Sequence, residues 1–244
     1  MRGFSSVFKR ELRGYFSTPL AYVLLVIFLF FSSFLTYKNG FFQVGRASLR
    51  LFFANFPLLF AFLVPAIAMR LWASERRSNS IELLFTLPIT TGQAVLGKFF
   101  AALSVIALAL GLTFPMVIMV GYLGNPDPGP IITGYAGSLL MAGCYLAIGS
   151  FFSALTRNQV IAFVLAVVGC AAFLFAGSPT VLDYLSAVLP MGLVDGIETL
   201  SFRSRFDSIQ RGVIELGDVA FFVLLTAGWL WANVALLEER RTAE

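Results

Sequence analysis

The stretch that decides the fold is residues 131–155, which read IITGYAGSLLMAGCYLAIGSFFSAL and contain no charged side chain. An α-helix of about 20 apolar residues crosses a hydrocarbon core about 30 Å thick, so this stretch is long enough to span a membrane. Five further apolar runs lie along the chain, at 20–37, 51–72, 94–121, 160–177 and 218–237. The sequence therefore predicts an all-α polytopic membrane protein, with residues 1–244 forming a single domain of six transmembrane helices.

The composition supports a membrane protein. Hydrophobic residues make up 59% of the chain and charged residues only 12%, whereas soluble domains contain about 45–50% apolar and about 25% charged residues. The net charge of +4 suits the Lys- and Arg-rich cytoplasmic loops of membrane proteins. We therefore expect membrane lipid around the chain and no nucleic-acid partner.

The reactive residue types needed for catalysis are scarce. The chain has no histidine, which removes the commonest general base and metal ligand. Cys144 and Cys170 lie inside apolar runs and are interpreted as small buried hydrophobes. Ser104 and Ser150 have no neighbouring base and are interpreted as small packing residues. We expect no enzymatic activity, no metal and no cofactor in this chain.

The Lys and Arg residues predict the orientation. With both termini inside, 11 of them fall on the cytoplasmic side and 6 outside, as the positive-inside rule requires. Arg70 and Lys98 are expected at cytoplasmic helix ends, where their side chains can snorkel to water. The N-terminal region has charged residues before the first apolar run and no small-x-small cleavage site after it, so we expect that run to be retained rather than cleaved.

Two segments are amphipathic rather than spanning. Residues 4–16 place their aromatic residues and Leu12 on one helical stripe, which predicts a helix in the cytoplasmic interface; a simple basic anchor is the alternative. In the outer segment 178–217, apolar residues repeat helically before the polarity rises. This pattern predicts one or two short extracytoplasmic helices between spans five and six.

A nucleotide-binding motif is nearly matched at Gly92–Lys98, which has the spacing G-x4-G-K. Phe99 follows where a P-loop has Ser or Thr to hold magnesium, and no strand precedes the motif. If ATP drives this protein, another chain must bind it.

The loop between the second and third apolar runs is the most informative for function. It reads SERRSNSIELLFTLPITTGQ over residues 74–93. Ser80 is placed to cap a short helix that Pro88 ends, with Ile81, Leu84 and Phe85 on one face. The helix either rests on lipid as a connector or docks into a groove on a cytoplasmic partner.

This loop resembles that of the type-2 ATP-binding-cassette (ABC) export permeases. The residues that carry the resemblance are Glu75, Arg76, Ser80, Ile81, Glu82, Leu83, Leu84, Thr86, Pro88, Ile89, Thr90, Gly97 and Lys98. The sequence departs from the family at Asn79 and Ser80, where Gly-Thr is frequent. The opening residues 8–19 are similar to the gliding-motility and nitrous-oxide-reductase-maturation branch.

The resemblance implies a permease of the bacterial inner membrane, paired with a second protomer as a homodimer or pseudo-dimer above two ABC ATPase subunits that bind ATP and magnesium. It implies that 75–87 is the coupling helix, with the contact residues Glu75, Arg76, Arg77, Ile81, Glu82, Leu83, Leu84, Phe85 and Pro88. It also implies that 4–16 is an interfacial connecting helix, whose residues include Phe8, Lys9, Arg10, Leu12 and Arg13.

Three functions stay open from the sequence. The first is a permease that exports a substrate. The second is a permease-like mechanotransmitter, which uses ATP hydrolysis in its partners to drive an extracytoplasmic accessory protein through the outer segment. The third is an unrelated membrane scaffold.

Overall fold

The chain is all-helical where the computed structural model describes it, at residues 2–41, 48–78, 89–187, 190–213 and 215–243. The helices in these ranges are α1 (Arg2–Phe16), α2 (Pro19–Lys38), α3 (Arg50–Phe53), α4 (Phe56–Ala68), α5 (Ala73–Arg77), α6 (Thr91–Gly111), α7 (Phe114–Leu123), α8 (Pro128–Leu155), α9 (Gln159–Phe175), α10 (Pro179–Ser186), α11 (Met191–Thr199), α12 (Phe202–Ile209) and α13 (Leu216–Ala243).

Six of the helical segments are apolar enough to lie in a membrane. Five of them are long: Pro19–Lys38, Phe56–Arg77, Thr91–Leu123, Pro128–Leu155 and Leu216–Arg241. The sixth, α9, is apolar but has only 17 residues. The segment Phe56–Arg77 comprises α4 and α5, and the segment Thr91–Leu123 comprises α6 and α7. The predicted fold class, a polytopic helical membrane protein, is confirmed.

Polar and proline residues set the helix boundaries. The Asp127 carboxylate accepts a hydrogen bond from the Gly129 amide at the start of α8, and Asn158 does the same for Val160 at the start of α9. Pro128 follows Asp127 as the first residue of α8, where its missing N–H costs nothing. These caps explain why the predicted and observed starts of the two helices agree within three residues.

Helix α8 occupies the centre of the bundle and packs against α4, α6, α9 and α13. Small side chains allow this close packing. A Cβ on Gly149 would lie 2.5 Å from the Cβ of Ala68 on α4, which is closer than real Cβ contacts come. Cys144 of α8 and Cys170 of α9 are also buried, and their thiols are free.

The segment 178–217 contains three short helices in its described part, α10 to α12, whereas the sequence predicted one or two. Phe202 and Phe206 of α12 are fully buried, and the Phe202 ring lies 4.9 Å from that of Tyr145 on α8. Arg205 of the same helix donates to the buried Asp218 at 3.0 Å. Helix α12 therefore packs onto the end of the bundle and is not a loose surface helix.

The two ends of the bundle differ in charge. One end, named here the basic end, consists of α1, α5, the first turns of α6, and the C-terminal turns of α8 and α13. Contacts that join it include Arg76 to the Ala154 carbonyl oxygen and Arg240 to the Leu155 carbonyl oxygen. The opposite end carries α3 and α10 to α12.

Candidate functional site at the basic end

Helix α1 lies directly against α6 at the basic end. Val7 is buried in this contact, and it faces Gly97. A Cβ on Gly97 would be 2.8 Å from Cγ1 of Val7 and 3.4 Å from the Phe4 carbonyl oxygen. Only a residue without a side chain permits this approach, and the approach brings the next residue, Lys98, to the buried face of α1.

Four charged side chains meet at this crossing and are named here the charge cluster: Arg10, Glu11, Glu75 and Lys98. The Lys98 ammonium lies 2.9 Å from Oε1 of Glu75 and 3.2 Å from Oε1 of Glu11. The Arg10 guanidinium lies 2.9 Å from Glu11 and 3.4 Å from Glu75. The cluster joins α1, α5 and α6 through side chains that are 87 and 23 residues apart in sequence.

Lys98 is almost fully buried, with 2% of its surface exposed. Its ammonium also stands 5.1 Å above the Trp72 ring, within cation–π distance. The expectation that Lys98 snorkels to water is wrong. Two carboxylates from other helices compensate its charge, and a buried charge requires such partners.

Glu11 is on the buried face of α1 and has an altered acidity. Burial raises the pKa of its carboxyl group, but the Lys98 ammonium and the Arg10 guanidinium outweigh burial and hold the pKa below its ordinary value. Glu11 is therefore ionised at neutral pH, as the cluster requires.

A second set of hydrogen bonds anchors the turn between α4 and α5 to α8. The Ser153 hydroxyl accepts from the Trp72 and Ala73 amides, each at 3.1 Å, and donates to the Met69 carbonyl at 2.9 Å. One serine thus satisfies both donors and an acceptor that the turn leaves without helical partners.

Ser150, one turn earlier on α8, also has polar partners. Its hydroxyl accepts from Nε1 of Trp72 at 3.1 Å and from Nδ2 of Asn233 at 2.6 Å. The interpretation of Ser150 as a packing residue was incomplete. Its hydroxyl joins Trp72, which directly precedes α5, to Asn233 on α13.

The predicted coupling residues fall partly within this site. Glu75 belongs to the charge cluster, Arg76 binds α8 through the Ala154 carbonyl oxygen, and Arg77 ends α5. The other predicted contact residues, Ile81, Glu82, Leu83, Leu84, Phe85 and Pro88, lie outside the described residues. The described chain resumes at Ile89, and Thr90 caps α6 by accepting from the Gln93 amide.

The predicted interfacial residues all lie on α1. Phe8 and Leu12 are half-buried, while Lys9, Arg10 and Arg13 are exposed. The helix is therefore amphipathic, as its sequence predicts. Sequence reasoning missed Val7 and Glu11 on the buried face, because Val7 is a small residue and Glu11 is charged.

The Gly92–Lys98 stretch lies within α6, which starts at Thr91. A P-loop holds phosphate with backbone amides in a loop before a helix. Here Gly97 serves the contact with Val7 and Lys98 serves the charge cluster, so these two residues of the motif have a structural explanation without a bound nucleotide.

Replacing Gly97 with Ala is expected to loosen α1 and to lower the free energy of unfolding by about 1–3 kcal/mol, since the new methyl group overlaps Val7. Gly92→Ala on the same helix is the matched control, because a Cβ there meets nothing within 4 Å. Thermal unfolding of both variants in detergent tests this. An equal midpoint for the two variants would contradict the close contact.

The described helices, with α8 and five further apolar segments in one bundle and an amphipathic helix joined to one end, define a polytopic membrane protein. A family model described as "ABC-2 family transporter protein" matches residues 5–237, and the chain belongs to this family. It is accordingly a permease component of an ABC system, and the family implies association with an ABC ATPase. A search among curated proteins gives no match.

Proposed function

We propose that this chain is the permease subunit of an ABC export system of the bacterial inner membrane. Separate ATPase subunits bind ATP and magnesium, and their closure moves the 75–87 segment to drive a substrate across the membrane. Two copies of the chain form the pathway as a homodimer. The branch proposed is that of the gliding-motility and nitrous-oxide-reductase-maturation permeases, because of the opening residues 8–19.

The charge cluster is the observation that carries this proposal. Glu75 precedes the 79–88 segment and Lys98 follows it, and the two side chains bind each other at 2.9 Å. Glu11 ties the connecting helix to the same point. A force applied to the segment between them would therefore reach α1, α5 and α6 together, which suits movement of packed helices as bodies.

Further contacts support transmission into the bundle. Arg76 donates to the Ala154 carbonyl oxygen on α8, and Trp72 is held by Ser150 and Ser153 of the same helix. A lipid-resting connector would need none of these anchors. They favour the docking interpretation of the 75–87 segment over the connector.

Co-purification with an ATPase tests the proposal. A tagged chain, expressed in its native host and extracted in mild detergent, is expected to retain an ABC ATPase and to alter the hydrolysis rate of that ATPase. The isolated chain is expected to bind no ATP in calorimetry, since Phe99 stands where a magnesium-binding hydroxyl is needed. Failure to retain the ATPase, or tight ATP binding by the chain alone, would refute the proposal.

The mechanotransmitter is kept as a second candidate because of the end opposite the basic end. Tyr184 of α10 and Leu193 of α11 have 77% and 57% of their surfaces exposed, which suits an accessory protein. In liposomes, hydrolysis stimulated by a purified accessory protein without solute would favour this candidate. Hydrolysis stimulated by a transported solute would favour the exporter.

The orientation is expected to place the basic end and both termini in the cytoplasm. Ser204 on α12 and Ser78 after α5 are both exposed, and they lie at opposite ends. An impermeant maleimide added to intact spheroplasts should label Ser204→Cys and leave Ser78→Cys unlabelled. The parent chain is the blank, since Cys144 and Cys170 are buried. The reverse pattern would contradict the orientation.

A further inference from the structure

A polar cavity of about 130 Å³ lies between the end of α1, the start of α2 and the turn after α4. This volume exceeds the ~30 Å³ that one water molecule occupies in the liquid. Its lining residues are Glu11, Gly14, Tyr15, Thr18, Arg70, Leu71 and Ser74. Several of them are half-buried, so the cavity opens to the surroundings of the protein.

Arg70 brings a positive charge to this cavity without a compensating partner. In the part of the chain that the structure describes, its guanidinium forms no hydrogen bond or ion pair. Glu11 lines the same cavity but is held by Lys98 and Arg10. Arg10, Arg76 and Arg205, by contrast, each bind an oxygen within the protein.

Tyr15 adds a hydrogen-bond donor. Only 9% of its surface is exposed, and its hydroxyl has no hydrogen-bond partner among the described residues. Burial raises the pKa of the phenol, and Glu11 raises it further while Arg70 lowers it. The hydroxyl therefore stays protonated and able to donate.

The two other hydroxyls of the lining are already occupied as donors. Thr18 donates to the Tyr15 carbonyl oxygen at 3.1 Å, and Ser74 donates to the Arg70 carbonyl oxygen. The donors left for a ligand are the guanidinium of Arg70 and the hydroxyl of Tyr15. Because a guanidinium presents a planar fork of N–H groups, it suits a phosphate better than a single-atom anion.

The charge around the cavity also favours an anion. The charged residues of the lining are Arg70 and Glu11, and the Glu11 carboxylate is already compensated by Lys98 and Arg10, which leaves the Arg70 charge for a ligand. The cavity lies where α2 begins and α4 ends, at the level of the lipid headgroups that border the hydrocarbon core. Basic pockets at such positions recognise anionic headgroups.

We propose that this cavity binds the phosphate of an anionic phospholipid headgroup, held between the Arg70 guanidinium and the Tyr15 hydroxyl. Neither Arg70 nor Tyr15 belongs to the charge cluster, so failure of this proposal would leave the proposed function unaffected. Inorganic phosphate shares the chemistry, so the experiment includes it as a separate arm.

Native mass spectrometry of the detergent-solubilised chain, titrated with phosphatidylglycerol, measures the site. The parent is expected to retain a bound lipid, and Arg70→Gln to weaken binding about tenfold or more, since a charge-assisted hydrogen bond is lost. Tyr15→Phe removes only the hydroxyl and is expected to weaken binding by a smaller factor. Arg157→Gln, an exposed arginine at the same end, is the matched control and should bind like the parent.

Three outcomes would overturn the proposal. Equal binding by the parent and Arg70→Gln would exclude the cavity as the site. Equal loss in Arg157→Gln would show that only the general basic surface attracts lipid. A thermal stabilisation by millimolar inorganic phosphate that depends on Arg70 and matches that of phosphatidylglycerol would assign the cavity to a soluble anion instead. Folding of each variant is checked by its unfolding midpoint without added ligand.

Discussion

Replacing Lys98 with Met is expected to lower the free energy of unfolding by about 3 kcal/mol, because the two carboxylates lose their buried cation and keep only the half-exposed Arg10 guanidinium as a partner. Glu11 and Glu75 are only 20% and 18% exposed, so water screens them weakly. Unfolding of the purified chain with increasing denaturing detergent measures the loss. Helix α1 should dissociate from α6 before the rest of the bundle unfolds. Hydrogen exchange at the Val7 amide would measure this dissociation.

A triple variant separates charge pairing from simple loss of side-chain volume. Adding Glu11→Gln and Glu75→Gln to Lys98→Met removes the uncompensated charges and is expected to recover most of the stability. Lys9→Met is the surface control, since Lys9 is exposed on the same region of the chain. If the triple variant is no more stable than Lys98→Met, or if Lys9→Met is equally unstable, the cluster is not the cause.

Truncating the predicted coupling contacts is expected to uncouple the permease from its ATPase. An apolar side chain that fills a groove on a partner typically carries about 2 kcal/mol or more of binding energy. Glu82→Ala with Leu84→Ala should therefore reduce ATPase co-purification and the hydrolysis rate of the complex. Membrane insertion should be unchanged, because neither residue lies in a predicted span.

The matched control for this variant lies at the opposite end of the bundle, on α11. Leu193 and Glu198 on α11 are both exposed, and Leu193→Ala with Glu198→Ala removes the same side chains. This control should co-purify the ATPase at the parental level. Parental co-purification and hydrolysis by the Glu82 and Leu84 variant would reject the coupling assignment.

Most of the fold could be predicted because a bilayer imposes length and polarity on each span. The predicted run 20–37 corresponds to Pro19–Lys38, and 131–155 to Pro128–Leu155. Agreement was poorer for 51–72, which is observed as the short helix α3 followed by Phe56–Arg77. Hydropathy could not detect this break, since the Phe-rich residues on either side are equally apolar.

The candidate site was less predictable because its contacts join residues far apart in sequence. Lys98 looks like a snorkelling residue until Glu11 and Glu75 are placed beside it. Gly97 looks like part of a phosphate loop until the approach of Val7 is known. A charged residue on the buried face of an amphipathic helix, as at Glu11, was the one local signal that could have indicated a partner.

The unequal lengths of the membrane helices have a consequence for the surrounding bilayer. Helix α9, with 17 residues, is about 26 Å long, whereas a hydrocarbon core measures about 30 Å. Its neighbour α8 has 28 residues and is about 42 Å long. Exposed residues of α9 such as Val160, Val164 and Val168 therefore meet lipid tails over a shorter distance than elsewhere on the protein. This hydrophobic mismatch should thin the membrane locally on one side of the molecule and make the protein more stable in lipids with shorter acyl chains.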